Sequence, residues 1–350
     1  MKALNYKLLA FLILAFSSLA GAQDKFEKKY HEEFDVDKSV TFEISNKFGD
    51  IKIENTYDDK ITIDAEVIVK ARSKDKADDI MDKITVAISK TGNIVSAKTE
   101  LDDISTKNIS FEINYTITMP AYLNTNLENK YGNVIINELH GKNNLAVKYG
   151  SLNVNKILDN NEKPLTSVDL GYCERSRINE FNWGKIVIKY SKLEVGTGKA
   201  LAISSKYSKL KLGTFSSVVA DIGYDDYEID DITNLIMTAK YSNIEIGQLT
   251  KKFKIDNKYG NVSLNKIPNG FEEIDVISKY ASINLGLANN AAYKLSAKTN
   301  YADINYNPIK ITQRIKEDFG IEINGYSVDE NATSIVKIYS EYGEVDLREK

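Results

Sequence analysis

The feature that most constrains this chain is a short motif that returns through most of its length. One copy is Lys130-Tyr131-Gly132-Asn133-Val134. The tyrosines from Tyr190 to Tyr259 are separated by 17, 17, 17 and 18 residues, and the next steps, to Tyr280 and Tyr301, are 21 each. A near-fixed period of this length predicts a solenoid, in which each repeat is one coil that buries its apolar face by stacking on its neighbours.

The residues around each tyrosine predict two short strands per coil. Apolar residues alternate with period two on both sides of the tyrosine, as in Leu210 and Leu212, which is the pattern of a half-buried strand. The phase of the alternation changes at the tyrosine, so we expect a bend or a bulge that inserts one residue there. The next residue is Gly, Ser or Ala in most coils, which allows a tight corner.

The tyrosines are expected to have a structural role at these corners. They are in phase with the inward residues before them, which predicts a stacked column that is partly buried. The alternative is an aromatic strip that stacks on sugars, because tyrosine has an apolar face and a polar tip. The corner tyrosines are Tyr131, Tyr149, Tyr190, Tyr207, Tyr224, Tyr241, Tyr259, Tyr280, Tyr301 and Tyr342, with Tyr172 in the least regular coil.

The first 22 residues have the pattern of a secretory signal peptide. Lys2 and Lys7 precede an apolar centre at 8–16, and Ala20-Gly21-Ala22 provides a cleavage site of small residues. The apolar centre is too short to span a bilayer comfortably, and no other long apolar run follows. We therefore expect an exported bacterial protein, periplasmic, secreted or at the cell surface, with no transmembrane span in the mature chain.

Composition excludes several function classes. Cys173 is the only cysteine, so no intramolecular disulfide can form, and the only histidines are His31 and His140. We read Cys173 as a small buried residue and expect no metal site and no cofactor. The chain has 46 basic and 50 acidic residues, a balance that argues against a nucleic-acid-binding protein.

Three segments follow from these patterns: a signal peptide (1–22), a β-rich N-terminal cap (23–125) and the repeats (126–350), interrupted near 307–330. Within the cap, Ser73 to Lys83 predicts one short helix with Ser73 as its N-cap. Within the interruption, Ile311 to Lys316 predicts a short amphipathic turn over the end of the solenoid. The predicted fold is all-β, a single-stranded β-solenoid expected to be a right-handed β-helix.

Several motifs resemble a known family. Asn46-Lys47-Phe48-Gly49-Asp50-Ile51-Lys52-Ile53, the stretch Ile113 to Pro120 and the Gly-x-aliphatic repeats resemble the bacterial adhesin-like β-strand-repeat family, whose function is unknown. This family is similar to the proposed auto-transporter adhesin head domains of Bacteroidetes. The resemblance covers most of residues 35–347 and implies a right-handed β-solenoid in an exported envelope protein. It implies no catalytic residues.

The lysine that precedes seven of the corner tyrosines is the most regular candidate for binding. Stacked coils would align these lysines in a cationic row that could bind an anionic polymer. Alternatively, they only discourage edge pairing and form ion pairs with acids such as Glu194, Glu228 and Glu245. The candidate lysines are Lys130, Lys148, Lys189, Lys206, Lys240, Lys258 and Lys279.

Two further groups of residues suggest alternatives. A dense acidic cluster, in which oxygens could converge on calcium, consists of Asp221, Asp225, Asp226, Glu228, Asp230 and Asp231. Glu174, Arg175 and Arg177 break the alternation of the Tyr172 coil, and polysaccharide lyases or hydrolases built on β-helices use such groups.

The sequence favours a non-catalytic, adhesin-like binding or scaffold module, with a cell-envelope polysaccharide or another envelope protein as partner. A structural or signalling role and a carbohydrate-active enzyme remain the alternatives. The oligomeric state is left open.

Overall fold

The computed structural model describes residues 24–103, 110–158, 163 and 165–348, so the predicted signal peptide lies outside the described residues. The described chain is all-β apart from one helix, α1 (Lys74–Met81). The N-terminal strands are β1 (Asp24–Asp35), β2 (Thr41–Lys47), β3 (Ile51–Asn55), β4 (Lys60–Ala71), β5 (Ile84–Thr91), β6 (Ile94–Leu101) and β7 (Ser110–Met119).

The central strands form the regular repeats. They are β8 (Asn124–Lys130), β9 (Val134–Leu139), β10 (Asn143–Lys148), β11 (Leu152–Ile157), β12 (Ser167–Gly171), β13 (Ser176–Phe181), β14 (Trp183–Lys189), β15 (Lys192–Lys206), β16 (Lys209–Gly223), β17 (Asp226–Lys240) and β18 (Asn243–Lys258).

The C-terminal strands complete the array. They are β19 (Val262–Ile267), β20 (Glu273–Lys279), β21 (Ile283–Leu287), β22 (Tyr293–Asn300), β23 (Ile304–Tyr306), β24 (Lys310–Glu317), β25 (Gly320–Ser327), β26 (Ile335–Glu341) and β27 (Val345–Leu347).

The repeats stack in parallel and in register, as predicted. The strands that precede the aromatic residues form the first ladder, in which β10 lies between β8 and β12. The strands that follow them form the second ladder, in which β11 lies between β9 and β13. Strands β15 to β18 take part in both ladders, because their first halves pair in the second ladder and their second halves in the first. Equivalent residues of successive coils therefore lie in straight rows.

The predicted period-two alternation is confirmed. Leu210 and Leu212 after the corner, and Val218 and Ala220 before the next one, are buried. Lys211 between the first two is half-buried, and Val219 between the second two is exposed. The inward residues of the two ladders belong to one continuous apolar core. Because burial of apolar surface is the dominant favourable term in folding, each coil depends on its neighbours for most of its stability.

The corner is made by the backbone of the aromatic residue. Phe48 and every corner tyrosine have a left-handed conformation, with φ between 50° and 61°. In this conformation the N–H still joins the next coil, as that of Tyr131 donates to the carbonyl oxygen of Lys148 at 3.0 Å. The predicted bend at the tyrosine is confirmed, and the left-handed residue itself changes the phase of the alternation. This conformation costs an L-residue about 1–2 kcal/mol.

The corner rings stack into one column. Neighbouring ring centroids from Phe48 to Tyr301 are 4.7–5.1 Å apart and the ring planes differ by 2–13°. The predicted stacked, partly buried column is confirmed, since the corner tyrosines are 44–52% exposed. The predicted inward phase of the rings is wrong, because the column lies at the surface. The reason is again the left-handed backbone, which turns the side chain out of the inward phase.

The residue after the aromatic residue is small for two different reasons. In one form of corner it is glycine, and a Cβ on Gly132 would lie 1.9 Å from the carbonyl oxygen of Gly49 in the neighbouring coil. In the other form it is serine with its side chain inside the coil. There the hydroxyl of Ser208 donates to the carbonyl of Lys206 (2.8 Å) and accepts the N–H of Ser191 (3.2 Å). The serine hydroxyl thereby satisfies backbone groups that the turn leaves without a strand partner. In the glycine form a buried asparagine does so, as the side chain of Asn129 donates to the carbonyl oxygen of Gly49 at 3.0 Å.

The N-terminal end of the stack mixes parallel and antiparallel strands. The coil of β2 and β3 carries Phe48 and pairs directly with β8 and β9. Beyond it, β6 and β7 continue the two ladders in parallel, and β5, β4 and β1 add antiparallel strands. Helix α1 lies between β4 and β5 in the chain and buries Ala77, Ile80 and Met81. Ser73 occupies the predicted N-cap position but makes no side-chain capping bond.

The C-terminal end departs from chain order. β26 pairs in parallel with β20 on one side and with β22 on the other, so the Tyr342 coil lies between the Tyr280 and Tyr301 coils. β24 and β25 form an antiparallel hairpin that extends the first ladder beyond β22. The predicted turn at Ile311 to Lys316 is therefore wrong, since these residues lie in strand β24. Among the described residues, no helix is long and apolar enough to cross a membrane.

Stacking and backbone strain can be separated at one corner. Tyr207→Ala removes two ring stacks but keeps an L-residue in the left-handed region, so we expect the free energy of unfolding to fall by about 2 kcal/mol. Tyr207→Gly loses the same stacks but relieves the strain, so its loss should be smaller by about 1 kcal/mol. Urea unfolding checks both values.

The matched control for these variants is Tyr57→Ala, since Tyr57 is 106% exposed and should tolerate the change. An equal loss in the alanine and glycine variants of Tyr207 would contradict the claim that the corner is strained.

Candidate binding surface

The lysines before the corner residues form one row on the first ladder. Register pairs connect the positions in the spatial order Lys47, Lys130, Lys148, Gly171, Lys189, Lys206, Gly223, Lys240, Lys258 and Lys279. We call this set the lysine row. Adjacent strands are about 4.8 Å apart, so two consecutive lysines place like charges on neighbouring strands. The row runs beside the aromatic column from Phe48 to Tyr280, and Glu341 and Asn300 occupy the equivalent positions beyond Lys279.

Most of the row has no acidic partner. Among the residues that the structure describes, Lys279 alone in the row forms an ion pair, with Glu341 at 2.6 Å. The expected pairing with Glu194, Glu228 and Glu245 is wrong, because those acids lie on the second ladder. There Glu228 lies 2.6 Å from Lys211, and Glu194 lies 3.8 Å from Arg177.

Other outward lysines of the same molecule are paired. Lys156 lies 2.9 Å from Glu138, and Lys254 lies 2.9 Å from Glu273. Like charges directly opposite one another on neighbouring strands are destabilising. Lysines on neighbouring strands of the row therefore repel one another, whereas the other outward lysines named above have acidic partners. An anion bound along the row would remove this repulsion.

A second pair of cations lies on the far side of the aromatic column. Lys192 and Lys209 are register neighbours, and neither forms an ion pair within the described ranges. They line a shallow groove together with Glu174, Tyr190, Ser191, Tyr207, Ser208, Tyr224, Asp225, Asp226, Tyr241 and Asn243. Tyr190 and Tyr207 therefore have two lysines on each side: Lys189 and Lys206 of the row on one side, and Lys192 and Lys209 on the other.

The geometry of the column limits what its rings can bind. Each ring inside the column has both faces covered by its neighbours, as Tyr207 lies 5.0 Å from Tyr190 and 4.8 Å from Tyr224. The alternative of stacking on sugars is therefore wrong for these rings, because face stacking needs a free face. The ring edges and hydroxyl groups stay available, and a phenol can both donate and accept a hydrogen bond.

The acidic cluster does not form a binding site for a cation. Asp225 is buried inside its corner, whereas Asp226, Glu228 and Asp230 alternate with inward residues along β17 and point outward. Glu228 is already paired with Lys211. Within residues 24–103, 110–158, 163 and 165–348, no group of three or more His, Cys, Asp and Glu could hold a metal ion.

Asp225 replaces the corner serine of its neighbours. It is 3% exposed, and its carboxylate accepts the N–H of Ser208 at 2.7 Å and that of Gly223 at 2.9 Å. Its own N–H donates to the hydroxyl of Ser242 at 3.1 Å, as in the serine corners. Burial raises the pKa of the Asp225 carboxyl, because desolvation disfavours the charged form and outweighs these hydrogen bonds.

The irregular Tyr172 coil keeps its place in the stack. Cys173 is fully buried at the corner, and its thiol donates to the carbonyl oxygens of Val147 and Gly171, both at 3.4 Å. Burial raises the pKa of the thiol, which disfavours the reactive thiolate. Arg177 bonds to the side chain of Asn179 (3.0 Å) and lies near Glu194, while Glu174 borders the groove beside Lys192.

Sequence reasoning missed three parts of this surface. It placed Lys47 in a separate cap, although Lys47-Phe48-Gly49 matches the repeat. It did not single out Lys192 and Lys209, which follow the tyrosines by two residues and lie across the column from the row. The exposure of the rings could not be read from the alternation, because the left-handed corner breaks it.

Comparison with known proteins identifies similar solved structures. No family model and no curated protein matches the chain. A protein from Bacteroides fragilis that is provisionally named an adhesin is 17% identical, with 63% of this chain and 97% of that chain covered and a TM-score of 0.33. A protein from Clostridium sporogenes, provisionally named a cell adhesion protein, is 12% identical, with 93% and 100% covered and a TM-score of 0.20.

A third similar structure has a different name. A protein from Parabacteroides distasonis, provisionally named a lipid binding protein, is 12% identical, with 91% of this chain and 96% of that chain covered and a TM-score of 0.33. The resemblance to adhesin-like proteins of Bacteroidetes is thereby confirmed, and similar structures also occur in Clostridium. At these TM-scores the likeness carries no argument about what this chain binds.

The buried carboxyl predicts a pH-dependent stability difference. The pKa of Asp225 is raised in the folded state. The stability that this carboxyl contributes is therefore fully present below its unfolded pKa of about 3.9, and it is lost as pH rises through the folded pKa. Asp225→Ser restores the corner serine, so we expect it to stabilise the protein by about 1 kcal/mol at pH 7. The gain should vanish near pH 3.

Thermal unfolding of Asp225→Ser at both pH values measures this difference, with the exposed neighbour changed in Asp226→Ser as control. A gain of equal size at both pH values would show that the desolvated charge is not its cause.

Proposed function

We propose that this chain is a non-catalytic, adhesin-like binding protein of the bacterial envelope, exported by its N-terminal signal, which holds an extended anionic polysaccharide along the lysine row. The observation that carries the proposal is that, among the described residues, every lysine of the row except Lys279 lacks an acidic partner. Other outward lysines of the chain, such as Lys156, Lys211 and Lys254, are paired. A polymer with a carboxylate or sulfate on its sugars would supply the missing charges.

The shape of the surface suits a polymer better than a compact ligand. The row has one position per coil from Lys47 to Lys279, and a lysine occupies each position except Gly171 and Gly223. An extended chain can therefore meet a series of lysines. Each exposed ion pair contributes little by itself, and binding gains strength when many act on one polymer. The hydroxyl edge of the aromatic column adds hydrogen-bonding groups beside the charges.

Lysines lie on both sides of the aromatic column at the Tyr190 and Tyr207 coils, although Glu174 and Asp226 border the same groove and Asp226 is opposite Lys209 in register. There Lys189 and Lys206 stand on one side of the column, and Lys192 and Lys209 stand on the other. A polymer that crosses the column at this point would meet cations on both sides. We therefore place the tightest contact of the bound polymer here.

Charge reversal in the row tests the proposal. The triple variant Lys189→Glu, Lys206→Glu and Lys240→Glu should weaken binding of polygalacturonate at low salt at least about tenfold, a change of about 1.4 kcal/mol. The control reverses Lys74, Lys76 and Lys316, which changes the net charge equally but leaves the row intact. Isothermal titration calorimetry measures both, with dextran as the neutral polymer.

Equal weakening in the two triple variants would show a general charge effect and contradict the role of the row. Size-exclusion chromatography of the same mixtures shows whether the polymer stays intact. Shortened polymer would favour the enzyme alternative and lead to Glu174, Arg175 and Arg177. An absence of binding by the wild type would favour a protein partner at the irregular parts near 158–180 or 307–330.

A further inference from the structure

The C-terminal coil occupies a slot between two coils that precede it in the chain. β26 has β20 as its neighbour on one side, where Asp275 is opposite Lys337, and β22 on the other, where Ser296 is opposite Lys337. β27 likewise lies between β21 and β23. The last coil of the chain is therefore an insert rather than an end.

The two walls of the slot could stack on each other without the insert. Tyr280 follows Tyr259 by 21 residues, and Tyr301 follows Tyr280 by the same 21. The first of these steps joins coils that are direct neighbours, with their rings 5.1 Å apart. The second step thus has the length for direct stacking, yet the Tyr342 ring stands between the rings of Tyr280 and Tyr301. The C-terminal coil must therefore insert between the Tyr280 and Tyr301 coils, both of which precede it in the chain.

The contacts of the insert come from its own strands and corner. The N–H of Tyr280 donates to the carbonyl of Glu341 at 2.8 Å, and the N–H of Tyr342 donates to the carbonyl of Asn300 at 3.0 Å. The carboxylate of Glu341 pairs with Lys279, and the Glu344 carboxylate accepts a hydrogen bond from the Asn305 side chain at 3.0 Å. A second copy of the same coil could make all of these contacts from another molecule.

The connection that leads to the insert is strained. Val328, which follows β25, has φ 65° and is 70% exposed. A β-branched residue in the left-handed region is a genuine outlier, and such strain costs on the order of 1–3 kcal/mol. Val328 has this strained conformation when the chain continues from β25 into the slot of its own molecule. A connection that runs to the slot of another molecule would relieve the strain.

We propose that residues 329–348 form an exchangeable coil, which leaves its own slot and inserts into the same slot of a second copy of this chain. Exchange of an identical element preserves every contact of the slot and changes only the course of the connection. When exchange is reciprocal it gives a closed dimer, and when it is sequential it links copies into a chain. The proposal is independent of what the lysine row binds.

Cysteine pairing across copies tests the exchange. In a Cys173→Ser background, one full-length variant carries Lys337→Cys on the insert and another carries Asp275→Cys on the wall. Register partners on adjacent strands are about 4.8 Å apart, within the Cα range of a disulfide. A fusion on one variant distinguishes the mixed species by mass on a non-reducing gel. Incubation just below the unfolding temperature gives exchange time to occur.

The control replaces Asp275→Cys by Lys266→Cys, which is exposed and not in register with the insert. We expect the mixed disulfide to form at least about tenfold more with Asp275→Cys than with the control. The double variant in one chain shows that the pair can bond, and Ser296→Cys repeats the test at the other wall. A pair that closes within one chain but never exceeds the control between chains would overturn the proposal.

Discussion

The structure depends on parallel, in-register stacking that continues through a left-handed corner. Because the N–H of each corner residue donates to the next coil, the hydrogen-bonded ladder turns from one side of the core to the other without losing register. This register places equivalent residues of successive coils in one row. A residue type that recurs at one position of the repeat therefore forms a row along the stack. The aromatic column and the lysine row are both consequences of this constraint.

The two rows have opposite energetic effects on the stack. Aromatic pairs attract, and each contributes about 0.5–1.5 kcal/mol beyond the area it buries, which offsets strain at the left-handed corners. Aligned lysines repel, and the chain pairs many of its other outward charges while leaving Lys130, Lys148 and their neighbours without acids in the described residues. The proposed binding of an anionic polymer along the row would offset this repulsion.

Much of the repeat could be predicted from the sequence, because alternation and period are local properties. The strands around Leu210, the placement of the corners at the tyrosines and the burial of Cys173 all follow from them. The direction of the rings could not be predicted, since φ at Tyr207 is not encoded by hydrophobic alternation. The insertion of the Tyr342 coil is a long-range pairing, and nothing in the segment itself distinguishes β22 from β26 as the next neighbour of β20. The ion-pair partner of Glu228 could not be predicted either, because it depends on which ladder Glu228 occupies.

The most direct test of the account is the affinity of the protein for size-fractionated galacturonate oligomers at low salt. The row from Lys47 to Lys279 has ten positions, and nine steps of about 4.8 Å give a length of about 43 Å. If the row holds an extended polymer, affinity should rise steadily with oligomer length until the oligomer spans this distance. A short oligomer that binds as tightly as a long one would contradict the account, because it would indicate a single compact site.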